Sequence, residues 1–294
     1  LADLEQRLLV TGASGRLAQR VVEIALKAVP PQRLILVSRN RSALERFARR
    51  GASVRFGDFS DPASLRAAFA GAERMLLVSA TDLSRRTEQH IAAIDAAVAA
   101  GVRHVIYTSG LSPAPPNPAA VAPSHYATEQ RLASTGLAWT VLRNSLYADY
   151  QAAEAARAIE SGALVHNFGD GKVAYVARED CAAAAAAVLT GQGHENAIYD
   201  ITGPHAYGAH DLARLYGSLA GKTIEAVELD DAALIDRLVG EAGGDDHLKY
   251  GAELVASFGR SIREGFMASC TDSVRRLTGR PARTLSEVLQ PAFT

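Results

Sequence analysis

The sequence predicts an α/β fold, a parallel sheet with helices on both faces, and two observations carry that expectation. Apolar runs of strand length alternate with stretches of helical periodicity five times before residue 110, and such alternation builds parallel sheets covered on both sides. The first run, Leu8-Leu9-Val10, leads through Thr11-Gly12-Ala13-Ser14-Gly15 into a helical pattern of Leu17, Val21, Val22, Ile24, Ala25 and Leu26. Strand, tight turn and helix thus follow without a break.

The turn has a chemistry. Gly12 lets the chain leave the strand sharply, because it has no Cβ to forbid positive φ. Ser14 and Gly15 leave the backbone open to a pyrophosphate, and the free N–H groups where the helix starts, at Arg16 and Leu17, hold the anion with the helix dipole. Ala18 stands in the third glycine's place, where the need is close helix–strand packing. A second strand, Leu34-Ile35-Leu36-Val37, follows on schedule, as in a Rossmann-type doubly wound sheet. Ser38, Arg39 and Asn40 come next, where such folds read the adenosine ribose. Arg39 without an acidic neighbour suits a 2′-phosphate, so NADP(H) is expected in preference to NAD(H).

The remaining elements continue in order. Ser42 to Arg50 reads as a helix stopped by Gly51. Ser53-Val54-Arg55-Phe56 is a third strand; beyond it Asp58 and Phe59 either hold the adenine or shape the turn and pack in the core. Pro62 to Ala70 is a short helix and Arg74 to Ser79 a fourth strand. The small residues Ser79, Ala80 and Thr81 let a cofactor pass over its tip. Arg86 to Ala100 is an amphipathic helix in which His90 reads as a core or solvated histidine rather than a ligand. His104 to Ser109 is the fifth strand, with Thr108 among the cofactor-facing tips. Pro113 to Pro123 contains five prolines, which excludes helix and inner strand and suggests a rim of the site. Ser124 to Ser134 is a helix and Ala138 to Arg143 the sixth strand. Asn144, Ser145, Leu146 and Tyr147 beyond it are the candidates for the nicotinamide end, with Tyr147 able to stack on a flat acceptor.

After Tyr147 the pattern changes to a helix, Ala152 to Ser161, and to Leu164–Phe168 and Val173–Val176 flanking Gly169-Asp170-Gly171-Lys172, a turn that reads as a surface hairpin. Arg178 to Leu189 is helical, with Asp180 near its start. Ala197 to Thr202 is a late strand expected to join the sheet. A helix (His210 to Ala220) and a strand (Thr223 to Leu229) follow. Final helices with Leu254, Val255, Phe258, Ile262 and Phe266 read as a lid over the cleft or a partner-facing surface, which leaves a homodimer open. The division expected is 1–148 for the NAD(P)-binding domain, with strand 197–202 added to it, and 149–294 mainly for a smaller C-terminal α/β substrate lobe.

Bulk properties exclude other classes. A net charge of −1 over 294 residues argues against nucleic acid, which demands a basic surface. No run approaches the ~20 apolar residues of a membrane span. Two distant cysteines, Cys181 and Cys270, offer neither a disulfide framework nor metal spacing, and Asp230, Asp231, Asp245 and Asp246 read as helix starts and solvated turns. Leu1 to Gln6 is polar, so no leader is expected there, and a reducing cytoplasm is the expected compartment.

The spacing of Thr11-Gly12-Ala13-Ser14-Gly15, Ser38-Arg39-Asn40, Gly57-Asp58, Ala100-Gly101-Val102, Tyr107-Thr108-Ser109, Thr128-Glu129 and Leu142-Arg143-Asn144 resembles the NmrA-like branch of the atypical short-chain dehydrogenases. Within it the chain looks most like the bacterial type-2 NAD(P)H:quinone oxidoreductases and the triphenylmethane reductases. The resemblance runs on through Tyr147, Gly169-Asp170-Gly171-Lys172, Arg178-Glu179-Asp180 and Tyr199 to Gly203, and fades in the last ~80 residues. It implies that the Gly169–Lys172 turn walls a substrate pocket, with Phe168 pointing in.

Many short-chain dehydrogenases use Tyr-x-x-x-Lys on the helix after strand five, where the lysine's charge readies the tyrosine to pass a proton, and a serine at the strand tip holds the substrate oxygen. This chain has Ser109 and Tyr126, but the lysine position is Gln130. A neutral glutamine supplies no such charge, so Tyr126 reads as a pocket-lining or packing tyrosine as readily as a catalytic one. Ketone chemistry needs a proton partner for an alkoxide; quinone reduction yields a stabilised phenolate that water protonates. The expected activity is hydride transfer from NADPH to a quinone or similar flat, electron-poor acceptor, by positioning, without flavin or metal. The alternatives are an NADP(H)-binding redox-sensing regulator without turnover, and a carbonyl or ether reductase of a neighbouring branch.

Overall fold

The computed structural model of the chain describes residues 6–241 and 249–293. Its strands are β1 (Leu8–Val10), β2 (Leu34–Ser38), β3 (Ser53–Phe56), β4 (Arg74–Leu77), β5 (His104–Gly110), β6 (Ala138–Asn144), β7 (Ala163–His166), β8 (Ala197–Ile201) and β9 (Glu225–Glu228). Seven form one sheet in the order β3-β2-β1-β4-β5-β6-β8, while β7 and β9 make a separate two-stranded sheet. Every pairing in both sheets is parallel. The strands step outward from β1 to β3, then the chain returns to place β4 on the other side of β1. That reversal opens a crevice at the carboxyl ends of β1 and β4, where doubly wound sheets take ligands.

Side chains along the strands alternate between two cores, as a period of two requires. Leu8, Val10, Leu34 and Leu36 face one, and Leu9, Ile35, Val37 and Met75 the other. In chain order the first helices are α1 (Arg16–Ala25), α2 (Glu45–Ala48), α3 (Pro62–Phe69), α4 (Arg86–Ala99) and α5 (Ala122–Ala133). Then come α6 (Gln151–Ser161), α7 (Arg178–Thr190), α8 (Ala209–Ala220), α9 (Asp231–Glu241), α10 (Lys249–Arg263), α11 (Ser273–Thr278) and α12 (Leu285–Leu289). Residues of α1, α2, α7 and α11 pack into the first core, and residues of α3, α4 and α5 into the second. A third core joins Ala155, Leu164, Tyr216, Ile262 and Leu289 to Leu111 and Leu146, which follow the tips of β5 and β6. The later elements are thereby held against the ligand edge of the sheet.

Four local expectations are corrected. Leu164–Phe168 and Val173–Val176 do not form a hairpin: β7 pairs in parallel with β9 instead, and Val173 bridges Tyr207. The Gly169–Lys172 turn is pressed onto α10, since a Cβ on Gly171 would overlap the Ile262 carbonyl. The stretch from Ser42 splits into a 3-10 turn, Ser42–Leu44, and the short α2. Pro123 lies in the first turn of α5 rather than in the loop, a place where its missing N–H costs nothing. Asp231 is a helix start, as expected, opening α9, and its carboxylate also accepts from Asn167 Nδ2 at 2.8 Å and Arg260 at 3.1 Å. Asp245 and Asp246 lie outside the described residues. Among the described residues no group of His, Cys, Asp or Glu is arranged to hold a metal, and no helix is long and apolar enough to cross a membrane.

Candidate active site

The glycine turn sits at the crevice. The Thr11 hydroxyl donates to the Leu76 carbonyl (3.1 Å) and accepts from the Val78 N–H (3.0 Å), which pins the tips of β1 and β4 together. Gly12 has φ +56°, a region side chains rarely enter, and the Gly15 N–H closes the turn on the Gly12 carbonyl at 2.8 Å. Helix α1 begins at Arg16 with no side-chain cap and no acidic residue in its first turn. Its unsatisfied N–H groups and positive dipole end are therefore open to an anion. Gly12, Gly15 and Arg16 are exposed, whereas Leu17 and Ala18 are buried against the sheet. Ser38 Oγ donates to Ser14 Oγ at 2.8 Å, so the tip of β2, with exposed Arg39 beyond it, is drawn up to the turn. These residues fit a dinucleotide: an uncapped helix start for phosphates, with an arginine beside it.

Other expected cofactor residues behave differently. Asp58 Oδ1 accepts from the Ser60 N–H at 2.9 Å and shapes the turn after β3, and Phe59 packs on the second core. Thr108 is buried and accepts from the Ser79 N–H at 3.0 Å; it holds the β4 tip in place. The Ala80 backbone is occupied on both sides, its N–H donating to His90 Nε2 (2.9 Å) and its carbonyl accepting from Arg86 Nε (2.7 Å).

A cavity of about 880 Å³ lies across the strand tips, walled by Ser79, Thr81, Ser109 and Asn144 on the sheet side and by Phe168 and Phe258 on the other. Ser145, Leu146 and Tyr147 also reach it. Among the described residues, Asn144 Oδ1 and Ser145 Oγ are buried without a hydrogen-bond partner. Buried polar atoms are nearly always paired, so two orphans side by side at a strand tip are free to accept from a ligand with donors of its own, as a carboxamide has. Asn144 Nδ2 reaches the Tyr147 hydroxyl at 3.4 Å. The Arg178 guanidinium lies 5.3 Å from the Tyr147 ring centre, and burial raises the phenol above its ordinary value. On the far side Leu254, Val255 and Ile262 of α10 line the cavity, as expected of a lid, whereas Phe266 lies beyond the helix and off the lining.

The expected proton machinery is not assembled. The Ser109 hydroxyl donates to Glu129 Oε1 at 2.7 Å, so its proton is not offered to a substrate oxygen. Glu129 in turn is gripped by Arg143, Nε at 3.0 Å and Nη2 at 2.7 Å. Tyr126 is half-buried and off the cavity lining, and Gln130 is exposed. Two residues that sequence reasoning passed over stand in the cavity wall instead, His125 and Arg86. His125 Nδ1 lies 2.6 Å from the buried Tyr107 hydroxyl. Arg86 is 8% exposed. Its place one turn ahead of His90 was the hint available.

A parallel sheet with a glycine turn at its switch point, an uncapped helix start and a cavity across the tips defines a dinucleotide-binding protein. The chain belongs to the NAD(P)H-binding family, which matches residues 12–192. It is 34% identical to quinone oxidoreductase 2 of Escherichia coli K12 over 97% of this chain and 98% of that one. The NADPH complex of an E. coli NADPH-dependent quinone oxidoreductase superposes with a TM-score of 0.92 at 34% identity, over 98% of this chain and all of the other (100%). A triphenylmethane reductase of Citrobacter sp. complexed with NADP(H) superposes at 0.89 with 33% identity, over 97% and 99% of the two chains. An NAD(P)H azoreductase of Xenophilus azovorans is 28% identical over 95% and 96%.

Proposed function

We propose that this chain is an NADPH-dependent oxidoreductase that delivers hydride to quinones or similar flat, electron-poor acceptors. The observation that carries the proposal is the orphaned pair Asn144 Oδ1 and Ser145 Oγ, on residues that line a largely apolar cavity across the strand tips of the family fold. When bound, a nicotinamide dinucleotide supplies the hydride. The backbone of Gly12 to Gly15 and the α1 start at Arg16 and Leu17 hold the pyrophosphate, and Arg39 holds the 2′-phosphate. Ser79 and Thr81 floor the path to the nicotinamide, whose amide meets Asn144 and Ser145. Residues 1–148 and β8 thereby serve the cofactor, and 149–294 mainly the acceptor, which Tyr147 and Phe168 flank with aromatic surface. The relatives named for quinone, azo-dye and triphenylmethane reduction favour acceptors of this class. The chemistry calls for neither flavin nor metal, and its NADPH supply suits the cytoplasm.

The test is NADPH oxidation with a panel of quinones, with NADH in parallel. Charge-assisted hydrogen bonds are worth about 1.5–3 kcal/mol, so Arg39→Asp should raise the KM for NADPH by about 10- to 100-fold and leave that for NADH nearly unchanged. Tight NADPH binding with no quinone turnover would refute the reductase reading in favour of a cofactor-sensing protein. Equal loss with both cofactors would refute the role of Arg39.

A further inference from the structure

The cavity wall holds a histidine whose hydrogen-bond chain fixes which ring nitrogen carries the proton. The chain starts from a donor that cannot reverse. The Ala80 N–H donates to His90 Nε2 at 2.9 Å, so that nitrogen is an acceptor and a neutral His90 carries its proton on Nδ1. His90 Nδ1 lies 2.9 Å from Thr128 Oγ1, whose own proton goes to the Ser124 carbonyl at 2.7 Å. Thr128 therefore accepts from His90. The Tyr107 hydroxyl is fully buried between the two imidazoles, 3.3 Å from His90 Nδ1 and 2.6 Å from His125 Nδ1. With His90 Nδ1 protonated, the Tyr107 proton goes to the acceptor it meets most closely among the described residues, His125 Nδ1 at 2.6 Å, in preference to the Thr128 hydroxyl, which already accepts from His90. His125 then carries its single proton on Nε2. Its ring lines the cavity beside Ser109 and Gly110, and among the described residues Nε2 has no partner, so the N–H is offered to a ligand.

His125 stays neutral. Burial pushes it down to about 3, with the charge of Arg86 adding to the effect. The Tyr107 phenol is raised by its own burial, so the donor end of the chain keeps its proton. Arg86, held by the Ala80 carbonyl, lines the same cavity, and its positive field favours an anion there.

We propose that His125 Nε2–H, backed by the charge of Arg86, is the oxyanion site of this enzyme, holding the acceptor oxygen on which charge develops. The proposal rests on the reductase reading. Hydride addition to a quinone reduces it by two electrons to the hydroquinone monoanion, with one oxygen now phenolate. His125 donates its hydrogen bond to that oxygen, and a proton from water completes the hydroquinone. The imidazole itself ends the step unchanged. The acceptor class is narrowed accordingly to carbonyl compounds whose reduced oxygen reaches the Ser109–Gly110 corner.

Removal of one preorganised oxyanion donor costs about 100- to 1,000-fold in kcat. His125→Phe should lower kcat with a benzoquinone by about that factor while the Kd for NADPH, read by fluorescence, shifts less than about twofold. His125→Gln, which restores an N–H, should recover at least about tenfold of the loss. A readout independent of turnover is the ¹⁵N NMR of the imidazoles in the wild-type protein near neutral pH, with His125 protonated on Nε2, His90 on Nδ1, and the His125 tautomer released in Tyr107→Phe. An undiminished kcat in His125→Phe, or a His125 proton on Nδ1, overturns the proposal. Wild-type protein that binds NADPH but reduces no quinone sinks the reductase reading and with it the step, and the NMR result then stands on its own as a test of the hydrogen-bond chain.

Discussion

Acidification should destabilise this protein well before its carboxylates titrate. Burial, reinforced by the Arg86 charge, lowers His90 and His125 to about 3. Burial with Arg74 nearby lowers His104 to about 4, and Glu195 offsets only part of this. An unfolded histidine titrates near 6.5. Between the folded and unfolded values the unfolded chain binds more protons, so stability is fully present above about pH 6.5 and is lost as pH falls. At about pH 5 each of the three costs roughly 2 kcal/mol relative to pH 8. Together they remove about 6 kcal/mol, against a total of about 5–15 kcal/mol for a typical domain. Carboxylates held low by partners, such as Asp231 and Glu179, contribute stability above their unfolded values and lose it only below about pH 4.5. Urea unfolding followed by Trp139 fluorescence at about pH 8, 6.5 and 5 reads the slope directly. His104 lies away from the cavity and donates to Thr140 Oγ1 at 2.8 Å, a bond a glutamine amide can copy. His104→Gln should therefore recover about 2 kcal/mol of the loss at pH 5. Stability that is flat from pH 8 to 5 would refute the reasoning, as would a slope unchanged by His104→Gln.

Two further substitutions test how the later elements hold the site. Asp180 is fully buried, bonded to Arg280 at 2.6 Å and to the Arg283 N–H at 2.7 Å; Asp180→Ala should cost about 2–4 kcal/mol, seen as a lowered thermal midpoint with the NADPH Kd little changed. Gly171→Ala forces a methyl against the Ile262 carbonyl of α10; about 1–3 kcal/mol of destabilisation is expected, together with a raised acceptor KM, because α10 walls the cavity. Wild-type stability and kinetics in Gly171→Ala would mean that the turn is free to move away from α10.

The doubly wound sheet was legible because its signals are local. The central apolar runs, such as Leu34–Val37, are strands buried on both faces, and the glycine turn needs only neighbouring residues. The late strand Ala197–Thr202 was legible from its own residues, although it is a partly exposed edge, and it does join the sheet beside β6. Contacts between distant segments were not legible. The parallel β7–β9 pair joins segments about 60 residues apart, and nothing in Leu164–Phe168 announces a partner that far along; a nearby glycine turn made a hairpin the simpler reading. Ser109 was misread for a related cause. Its partner Glu129 lies on the next helix and Glu129's partner Arg143 on the next strand, so the fate of one hydroxyl proton depends on three elements.

The proton machinery shows how a motif can be sought one residue out of phase. Tyr126 and Gln130 stand four apart, as the Tyr-x-x-x-Lys pattern asks, and side chains at that spacing share one helical face. The buried residues of α5, however, are Ala122, Ser124, His125, Thr128, Glu129 and Leu132, which makes His125 and Glu129 the i, i+4 pair turned to the sheet. A step of one residue rotates a side chain by about 100°, enough to carry Tyr126 off the cavity lining. On β5, Tyr107 and Ser109 share one face by the strand's alternation, and each meets one member of the inward pair: Tyr107 meets His125 and Ser109 meets Glu129. Strand and helix thus supply the two-point contact that a tyrosine–lysine template would use, with different chemistry. A charged Arg143 satisfies Glu129, and a neutral imidazole is left to face the acceptor. That arrangement suits an acceptor whose reduced oxygen needs a hydrogen bond more than an immediate proton.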